Sequence, residues 1–381
     1  SIFNFQFSIV MNTIGKLYTL TSFGESHGEA LGGVIDGCPA GLPLSVDEIQ
    51  YELDRRRPGQ SSVTTSRTEE DRVEILSGVF EGVTTGTPIG FIVRNKDQRS
   101  RDYDEIKDLF RPSHADYTMQ AKYGIRDYRG GGRSSAREHV VRVVGGAVAR
   151  QILKRLGIFV HGYTSQVGPI VLNKTYHELN LEETDANVVR CPDSVVAGEM
   201  ELFIRKVQEE QDSVGGVVSC VIRGVPEGVV SCVIRGVPVG VGEPVFDRFQ
   251  ARLGYYMMGI NAAKGFEYGE GFHAASMRGS EHNDAFMMRN GQVRTLTNHA
   301  GGVLGGITSG EDIYFRVAFK PVATIGQEQQ TVNRFGEEVT FIARGRHDPC
   351  VVPRAVPVVE AMAGMLVLDM MLEAGKVPSR V

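Results

Sequence analysis

Two histidines and one aspartate lie in loops bracketed by glycine or proline, where a polar side chain can approach a bound molecule. They are His27 in GESHG, His114 in FRPSHAD and Asp348 in GRHDPC. Histidine can donate or accept a proton near neutral pH, and an aspartate between cations is normally ionised and can accept one. The three motifs therefore predict proton transfer. Taken singly, each also fits a structural turn or a loop-capping residue.

A local excess of positive charge lies in KYGIRDYRGGGRSSARE, residues 122–138. This segment has five basic and two acidic residues, a balance of +3 in a chain of net charge -5. GGGRSS leads into a predicted helix, so backbone amides, two hydroxyls and the helix dipole would converge on a phosphate. The glycine spacing of a dinucleotide fingerprint and the Lys-Ser/Thr pair of a P-loop are missing. We predict an anion site of another geometry; the alternative is a solvated basic face.

Further arginines adjoin these motifs. In LDRRRPGQ, Arg55, Arg56 and Arg57 end a predicted helix and cannot all share one of its faces. One of them can therefore point toward a site, although cations at a helix C-terminus also simply complement the dipole. Arg111 precedes His114 by three residues and offers a planar set of donors for phosphate or carboxylate.

GESHG also matches the nucleophile elbow of serine hydrolases, with Ser26 as the nucleophile. That elbow joins a strand to a helix and needs an oxyanion loop earlier in the chain. Here the motif lies too near the N-terminus, and EALGGVIDG after it is typical of a strand and a turn. We therefore predict that Ser26 is not a nucleophile, which a fluorophosphonate probe would test.

The elements that position these loops are mixed. Helical periodicity is clearest at residues 46–57, 136–156 and 358–373, between alternating apolar and polar stretches and glycine-rich loops. The last segment is apolar nearly all round, which predicts a buried C-terminal helix. The pattern indicates an α+β fold.

One segment is duplicated. VVSCVIRGVPEG at 217–228 is followed by VVSCVIRGVPVG at 229–240, but two copies do not make a solenoid. We expect one copy to occupy a strand position and the other to be looped out, added at an edge or poorly ordered. Residues 1–10, which carry no charge, are expected to be a non-native or disordered extension of a single domain at 11–381.

Composition bounds the class of protein. With 381 residues, 41% of them hydrophobic, and a net charge of -5, the chain is predicted to be globular, with neither nucleic acid nor membrane as partner. Apolar runs are broken before the roughly 18 residues of a membrane span, and no signal-peptide pattern is present. We expect a cytoplasmic protein. Its odd set of cysteines predicts free thiols, without disulfides or a metal site: Cys38, Cys191, Cys220, Cys232 and Cys350.

In their order along the chain, these motifs resemble the chorismate synthase family. GESHG with GGVIDGCP, GGGRSSARE and GRHDPCVVPRAVPVVEAM are similar to its three signatures, and the similarity runs from about Thr13 to the C-terminal helix. The resemblance implies a β-α-β sandwich with helices between antiparallel sheets, assembled as a homotetramer. It implies a lyase of the shikimate pathway of aromatic amino acid biosynthesis. The reaction is an anti 1,4-elimination of phosphate from 5-enolpyruvylshikimate 3-phosphate to give chorismate, using reduced FMN without net redox change.

The resemblance also implies roles at matching positions. His27 would protonate or electrostatically support the reduced flavin, His114 would act as general acid for phosphate departure, and Asp348 would accept a proton from the flavin. The implied substrate-binding residues are Arg57, Arg111, Arg137 and Arg346. The implied flavin contacts are Arg133, Ser134, Ser135, Asn261, Ala262, Gly305, Lys320, Thr324 and Arg346, and Arg56 matches a position for pyridine nucleotide.

NADPH would act only indirectly, as the source of reducing equivalents, and a separate flavin reductase would supply reduced FMN. The chain departs from the family pattern at Ser62, usually basic, at His139, usually threonine, and at the duplication. The competing interpretation is a non-catalytic flavin- or nucleotide-binding protein, which would not need two histidines and an aspartate together.

Overall fold

The computed structural model describes residues 12–59, 69–96, 107–224, 236–343 and 348–379. The helices in these ranges are α1 (Val46–Arg56), α2 (Asp116–Tyr123), α3 (His139–Arg155), α4 (Ser194–Glu209), α5 (Phe249–Met258), α6 (Gly279–His282) and α7 (Val352–Glu373). The strands before α3 are β1 (Thr13–Ile14), β2 (Thr19–Gly24), β3 (Ala30–Asp36), β4 (Val73–Ile75), β5 (Val79–Phe80), β6 (Val83–Thr84) and β7 (Ile89–Arg94). Those after it are β8 (Ile158–Val167), β9 (Ile170–Val171), β10 (Gly216–Gly224), β11 (Ala263–Tyr268), β12 (Phe286–Arg289), β13 (Gln292–Thr295), β14 (Val303–Leu304), β15 (Ile307–Thr308), β16 (Ile313–Phe319), β17 (Glu328–Val332) and β18 (Glu338–Ile342).

Two antiparallel five-stranded sheets enclose a layer of helices. Their strand orders are β1-β2-β3-β7-β4 and β11-β16-β10-β8-β9. Helix α3 packs on β2 and β3 of the first sheet, α7 packs on β8 and β10 of the second, and the two helices pack on each other. Leu20 pairs with Ile35 across β2 and β3, and both are buried. The predicted α+β sandwich with helices between antiparallel sheets is confirmed.

Helix α7 is the centre of the core. A Cβ on Gly146 of α3 would overlap the Cα of Ala361, so the two helices meet backbone to backbone. By length and composition α7 could cross a membrane, but 94% of its most apolar window is buried inside the fold, as expected of a core helix. The helix begins six residues before the predicted start at residue 358. Burial on all sides maintains it despite the hydrogen bond that Pro357 cannot donate.

The other two predicted helices are also observed. Helix α1 begins after Ser45, whose side chain accepts a hydrogen bond from the backbone of Glu48 at 3.1 Å, a standard N-cap. A 3-10 turn over Ala136–Glu138 precedes α3. The described cysteines, Cys38, Cys191, Cys220 and Cys350, are buried free thiols. Cys232 lies outside the described residues.

The first copy of the duplicated segment forms β10, between β8 and β16 in the second sheet. Residues 225–235, which include the strand sequence of the second copy, lie outside the described residues. A Cβ on Gly236 would lie 3.7 Å from the backbone nitrogen of Gly224. The residues on either side of this stretch, Gly224 and Gly236, therefore lie side by side.

Deleting residues 225–236, which joins Gly224 to Val237, is expected to preserve the fold. Closing a connection of this length costs roughly 2 kcal/mol of chain entropy, so the deletion should raise the free energy of unfolding by about 1–2 kcal/mol. Urea unfolding followed by circular dichroism measures the change. A lower unfolding midpoint in the deletion variant would show instead that the inserted residues contribute stabilising contacts.

Candidate active site

Three consecutive glycines bring the two predicted histidines together. Gly130, Gly131 and Gly132 have φ of +66°, +99° and +54°, a region that favours glycine. A Cβ on Gly130 would overlap the His27 ring, and one on Gly131 would lie 2.9 Å from Cε1 of His114. The backbone of this glycine loop (Gly130, Gly131 and Gly132) thus separates the rings without space for any side chain.

His27 lies in the turn between β2 and β3 and is 4% exposed. Its Nδ1 lies 3.1 Å from Oγ of Ser26, and that hydroxyl is 3.4 Å from the carbonyl oxygen of Arg129. Ser26 is itself buried, in a strand–turn–strand unit. The strand–turn–helix geometry of a nucleophile elbow is not found here, which agrees with the prediction that Ser26 is not a nucleophile.

His114 belongs to a compact ionic cluster before α2. Its Nδ1 lies 3.0 Å from Oδ1 of Asp116, and Asp116 also accepts from Nε of Arg111 at 2.8 Å and from Nη1 of Arg126 at 3.1 Å. Burial opposes ionisation of Asp116, but the hydrogen bonds from Arg111 and His114 outweigh it and hold its pKa well below the usual range. Arg111, predicted to bind substrate, is therefore engaged by a carboxylate through part of its guanidinium.

Several residues that are predicted to contact flavin are linked by hydrogen bonds to the glycine loop or to the loop that carries His114. Oγ of Ser134 donates to the carbonyl of Gly131 at 2.7 Å, and Nδ2 of Asn261 donates to the carbonyl of Ser134 at 2.8 Å. The backbone of Lys320 donates to Ala262 at 3.0 Å, and its Nζ donates to the carbonyl of Ser113 at 3.1 Å. Segments far apart in sequence therefore converge beside His114.

A second cluster brings three arginines, Arg56, Arg137 and Arg354, against three acidic groups, Glu69, Asp71 and Asp348. Arg56 donates to Asp71 at 3.3 Å and to the carbonyl of Ala136 at 2.7 Å, and Arg137 also donates to Asp71. Burial and the charge of Arg354 lower the pKa of Arg56 to about 9. Such crowding of cations favours binding of an anion.

A cavity of about 80 Å³ lies beside the second cluster. Its wall includes Arg56, His139, Asn261, Asp348 and Arg354, and Arg354 donates to Asp348. A water molecule occupies about 30 Å³ of liquid, so this space is too small for a flavin ring. The cavity can account for only one edge of a larger binding site.

His139, the residue that departs from the family pattern, lies in this wall. Its Nε2 lies 3.1 Å from Oδ1 of Asn261. Burial and the charge of Arg142 lower the pKa of His139 well below its ordinary value, so the ring is neutral. His139 therefore contacts the side-chain amide of Asn261, which donates a hydrogen bond to the carbonyl of Ser134.

The remaining predicted residues lie around or away from this centre. Arg133 donates to Oγ of Ser22 at 2.8 Å, and Oγ of Ser135 accepts from the backbone of Arg137 at 3.3 Å. Arg57 lies 3.7 Å from Asp54, with 43% of its side chain exposed. Gly305 lies in the turn between β14 and β15, and nothing lies within 4 Å of its Cβ position. Its neighbour Gly306 lies against Glu243 and Arg248. Thr324 is half-buried in the loop after β16, and Arg346 and Ser62 lie outside the described residues.

Sequence reasoning missed Asp71 and Arg354 as parts of the site. Arg354 lies in the first turn of α7, where a cation opposes the helix dipole. A cation in this unfavourable position indicates that an acidic partner lies nearby, and the structure shows that this partner is Asp348. Asp71 offers no comparable sequence signal. Among the described residues, no group of three or more histidines, cysteines or acids is arranged to hold a metal ion.

Replacing Gly130 by alanine is expected to displace His27, because the new Cβ would overlap a buried ring. We expect kcat to fall at least about tenfold, the order of effect of misplacing a reacting group. Gly124→Ala is the matched control: its φ is also positive, but nothing lies within 4 Å of its Cβ position. It should lose only about 1 kcal/mol of stability. Equal kinetic effects of the two substitutions would contradict the proposed contact.

Comparison with known proteins gives one consistent family. A family model described as chorismate synthase matches residues 18–229 and 227–372, and the break between the stretches lies inside the duplication. Chorismate synthase of Parabacteroides distasonis is 59% identical over 95% of this chain and 98% of its own length. That of Phocaeicola vulgatus is 58% identical over 94% of this chain and 97% of its own length. A crystal structure of chorismate synthase superposes with a TM-score of 0.74 at 31% identity, covering 95% of this chain and 93% of its own.

Proposed function

This chain belongs to the chorismate synthase family, and from that premise we propose how its residues perform the family reaction. The activity is that of a lyase, which eliminates phosphate from 5-enolpyruvylshikimate 3-phosphate to give chorismate. One observation carries the assignment of residues: the glycine loop holds His27 and His114 against its two sides. The non-catalytic binding protein is not favoured, because a binder has no need of that arrangement.

The residues present fit a phosphate-bearing flavin together with an anionic substrate. Nη2 of Arg137 is buried and makes no hydrogen bond among the described residues, with Oε2 of Glu69 3.7 Å away, and burial together with the charge of Arg354 lowers the pKa of Arg56 to about 9. The glycine loop brings backbone against both histidine rings, where a Cβ would clash. Arg133, Ser134, Ser135, Asn261, Ala262 and Lys320 would hold reduced FMN, which when bound supplies electron density to the breaking C–O bond and recovers it.

The protein's own part is to orient, neutralise charge and move protons. Arg56 and Arg137 would neutralise the anionic groups of the substrate. Nε2 of His114 would donate a proton to the leaving phosphate oxygen as general acid. Asp348 would accept the proton derived from the substrate's ring hydrogen, and Arg354, which donates to this carboxylate, would hold it in place. His27 would supply positive charge or a proton beside the reduced ring.

Further assignments complete the proposal. Arg57, Arg111 and Arg346 would assist substrate binding, and Gly305 and Thr324 would contact flavin. The protein would work in the cytoplasm as a homotetramer, with a separate flavin reductase supplying reduced FMN and NADPH acting only through that enzyme. These points are supported by the family resemblance and by the buried thiols.

Anaerobic turnover of 5-enolpyruvylshikimate 3-phosphate with chemically reduced FMN tests the function. We expect phosphate and chorismate to appear in equal amounts and only with reduced flavin; oxidised FMN under the same conditions is the control. Flavin binding, followed by fluorescence, is measured in parallel. Binding without release of either product would contradict catalysis and support the binding-protein alternative.

A further inference from the structure

We propose that Asp116 is the positioning residue of His114, fixing its imidazole with Nδ1–H on the carboxylate and Nε2 toward the glycine loop. The inference rests on the proposed role of His114 as general acid. It adds a residue that touches neither substrate nor flavin in the proposed arrangement and that acts only through its neighbours.

The hydrogen-bond partners decide the tautomer. Nδ1 of His114 lies 3.0 Å from Oδ1 of Asp116 and 3.2 Å from Nη2 of Arg111. Nη2 of Arg111 carries only donors and already donates to Oδ1 of Asp116 at the shorter distance of 2.9 Å, whereas the ionised carboxylate only accepts. If Nδ1 were unprotonated, its lone pair would face that of Oδ1 at hydrogen-bond distance. The neutral ring therefore carries its proton on Nδ1, where Asp116 accepts it.

The orientation follows from the opposite edge of the ring. A Cβ on Gly131 would lie 3.2 Å from Nε2 of His114, so this nitrogen faces the loop proposed to bind phosphate. When the ring is protonated, the proton on Nε2 is the one that can reach the leaving oxygen. The proton on Nδ1 stays in its bond to Asp116, which holds the ring in this orientation.

The loop before α2 is built around this carboxylate. Asp116 is 3% exposed, and its Oδ2 accepts from both the backbone nitrogen and Nε of Arg111, at 3.1 Å and 2.8 Å. Ser113, between Arg111 and Asp116 in the chain, has φ of +56°, a conformation that is unfavourable for a residue other than glycine. Arg111 and Arg126 balance the charge of Asp116, so it orients the ring without adding net negative charge where phosphate departs.

The test begins with ¹⁵N NMR of histidine-labelled protein above the pH at which the ring titrates. We expect the His114 signal to show Nδ1–H in the unaltered protein and to move toward the Nε2–H or a mixed form in Asp116→Asn. Asp185→Asn is the matched control, because Asp185 also bridges two arginines, Arg55 and Arg190, at 2.9 Å each. The control should leave the His114 signal unchanged. An unchanged signal in Asp116→Asn would overturn the proposal.

Kinetics supply the second readout. Asp116→Asn should lower kcat by about 10²-fold, the lower end of what a general acid contributes, with a smaller change in KM, while Asp185→Asn keeps kcat. In a His114→Ala background, Asp116→Asn should lower kcat no further; an equal loss in both backgrounds would show that Asp116 does not act through His114. If His114→Ala itself kept kcat, the general-acid role would fail, yet the NMR result would still decide whether Asp116 sets the ring.

Discussion

Replacing His114 by alanine is expected to lower kcat by about 10²- to 10⁴-fold, the range that a positioned general acid contributes. The C–O bond to phosphate would still break, but the leaving oxygen would depart without a proton from Nε2. Flavin affinity should stay nearly unchanged, because the predicted flavin contacts belong to other segments. Anaerobic steady-state turnover at saturating substrate and reduced FMN measures kcat, and fluorescence titration measures flavin affinity.

The matched control is His273→Ala. Nδ1 of His273 lies 2.9 Å from Oε2 of Glu270, as Nδ1 of His114 lies near Asp116, but 64% of the His273 side chain is exposed. Its removal should leave kcat unchanged. If His114→Ala retained more than about a tenth of the turnover, a contribution smaller than general acids make, another group would have to protonate the phosphate.

Replacing Glu360 by glutamine is expected to lower the free energy of unfolding by about 3 kcal/mol, as when one partner of a buried ion pair is removed. Glu360 lies in α7, is 3% exposed, and pairs with Arg55 and with Arg150, the latter at 3.2 Å. It also accepts from the backbone nitrogen of Gly162 at 2.7 Å. Glutamine can keep that last bond but leaves buried positive charge without its main counter-ion.

The same carboxylate predicts acid sensitivity. Burial raises the pKa of Glu360, but Arg55 and Arg150 together outweigh it and lower the pKa from 4.5 to about 2. A depressed folded-state pKa gives stability that is present above the unfolded value and is lost as pH falls through the folded value. The stability difference between the unaltered protein and Glu360→Gln should therefore shrink between pH 4.5 and about 2.

Urea unfolding at several pH values measures both effects. Glu373→Gln is the control on the same helix: Glu373 also pairs with an arginine, Arg252, but 28% of its side chain is exposed. That substitution should cost less than about 1 kcal/mol. Equal losses for the two glutamates, or a Glu360 effect that does not change with pH, would show that the buried network is not the stabilising feature.

Local features of the chain were predictable because they depend on neighbours in sequence. The period of α1 and α3, the buried character of α7 and the strand after GESHG all follow from patterns of neighbouring residues. The periodicity predicted only residues 358–373 of α7, and burial extends this helix to Val352 although Pro357 lies within it. The motifs also identified His27, His114 and Asp348 as candidates by residue type and loop chemistry.

Only the tertiary structure decided which of these candidates meet. His27, His114 and Gly130 come together because β2, the loop before α2 and the approach to α3 are fixed by separate packing contacts. Arg111 was expected to bind substrate, but part of its guanidinium group donates to Asp116. Asp71 accepts hydrogen bonds from both Arg56 and Arg137. A single sequence records the period of each element and the chemistry of each side chain. It does not record the sheet register or helix packing that sets distances between remote segments, and those distances determine what each charge contacts.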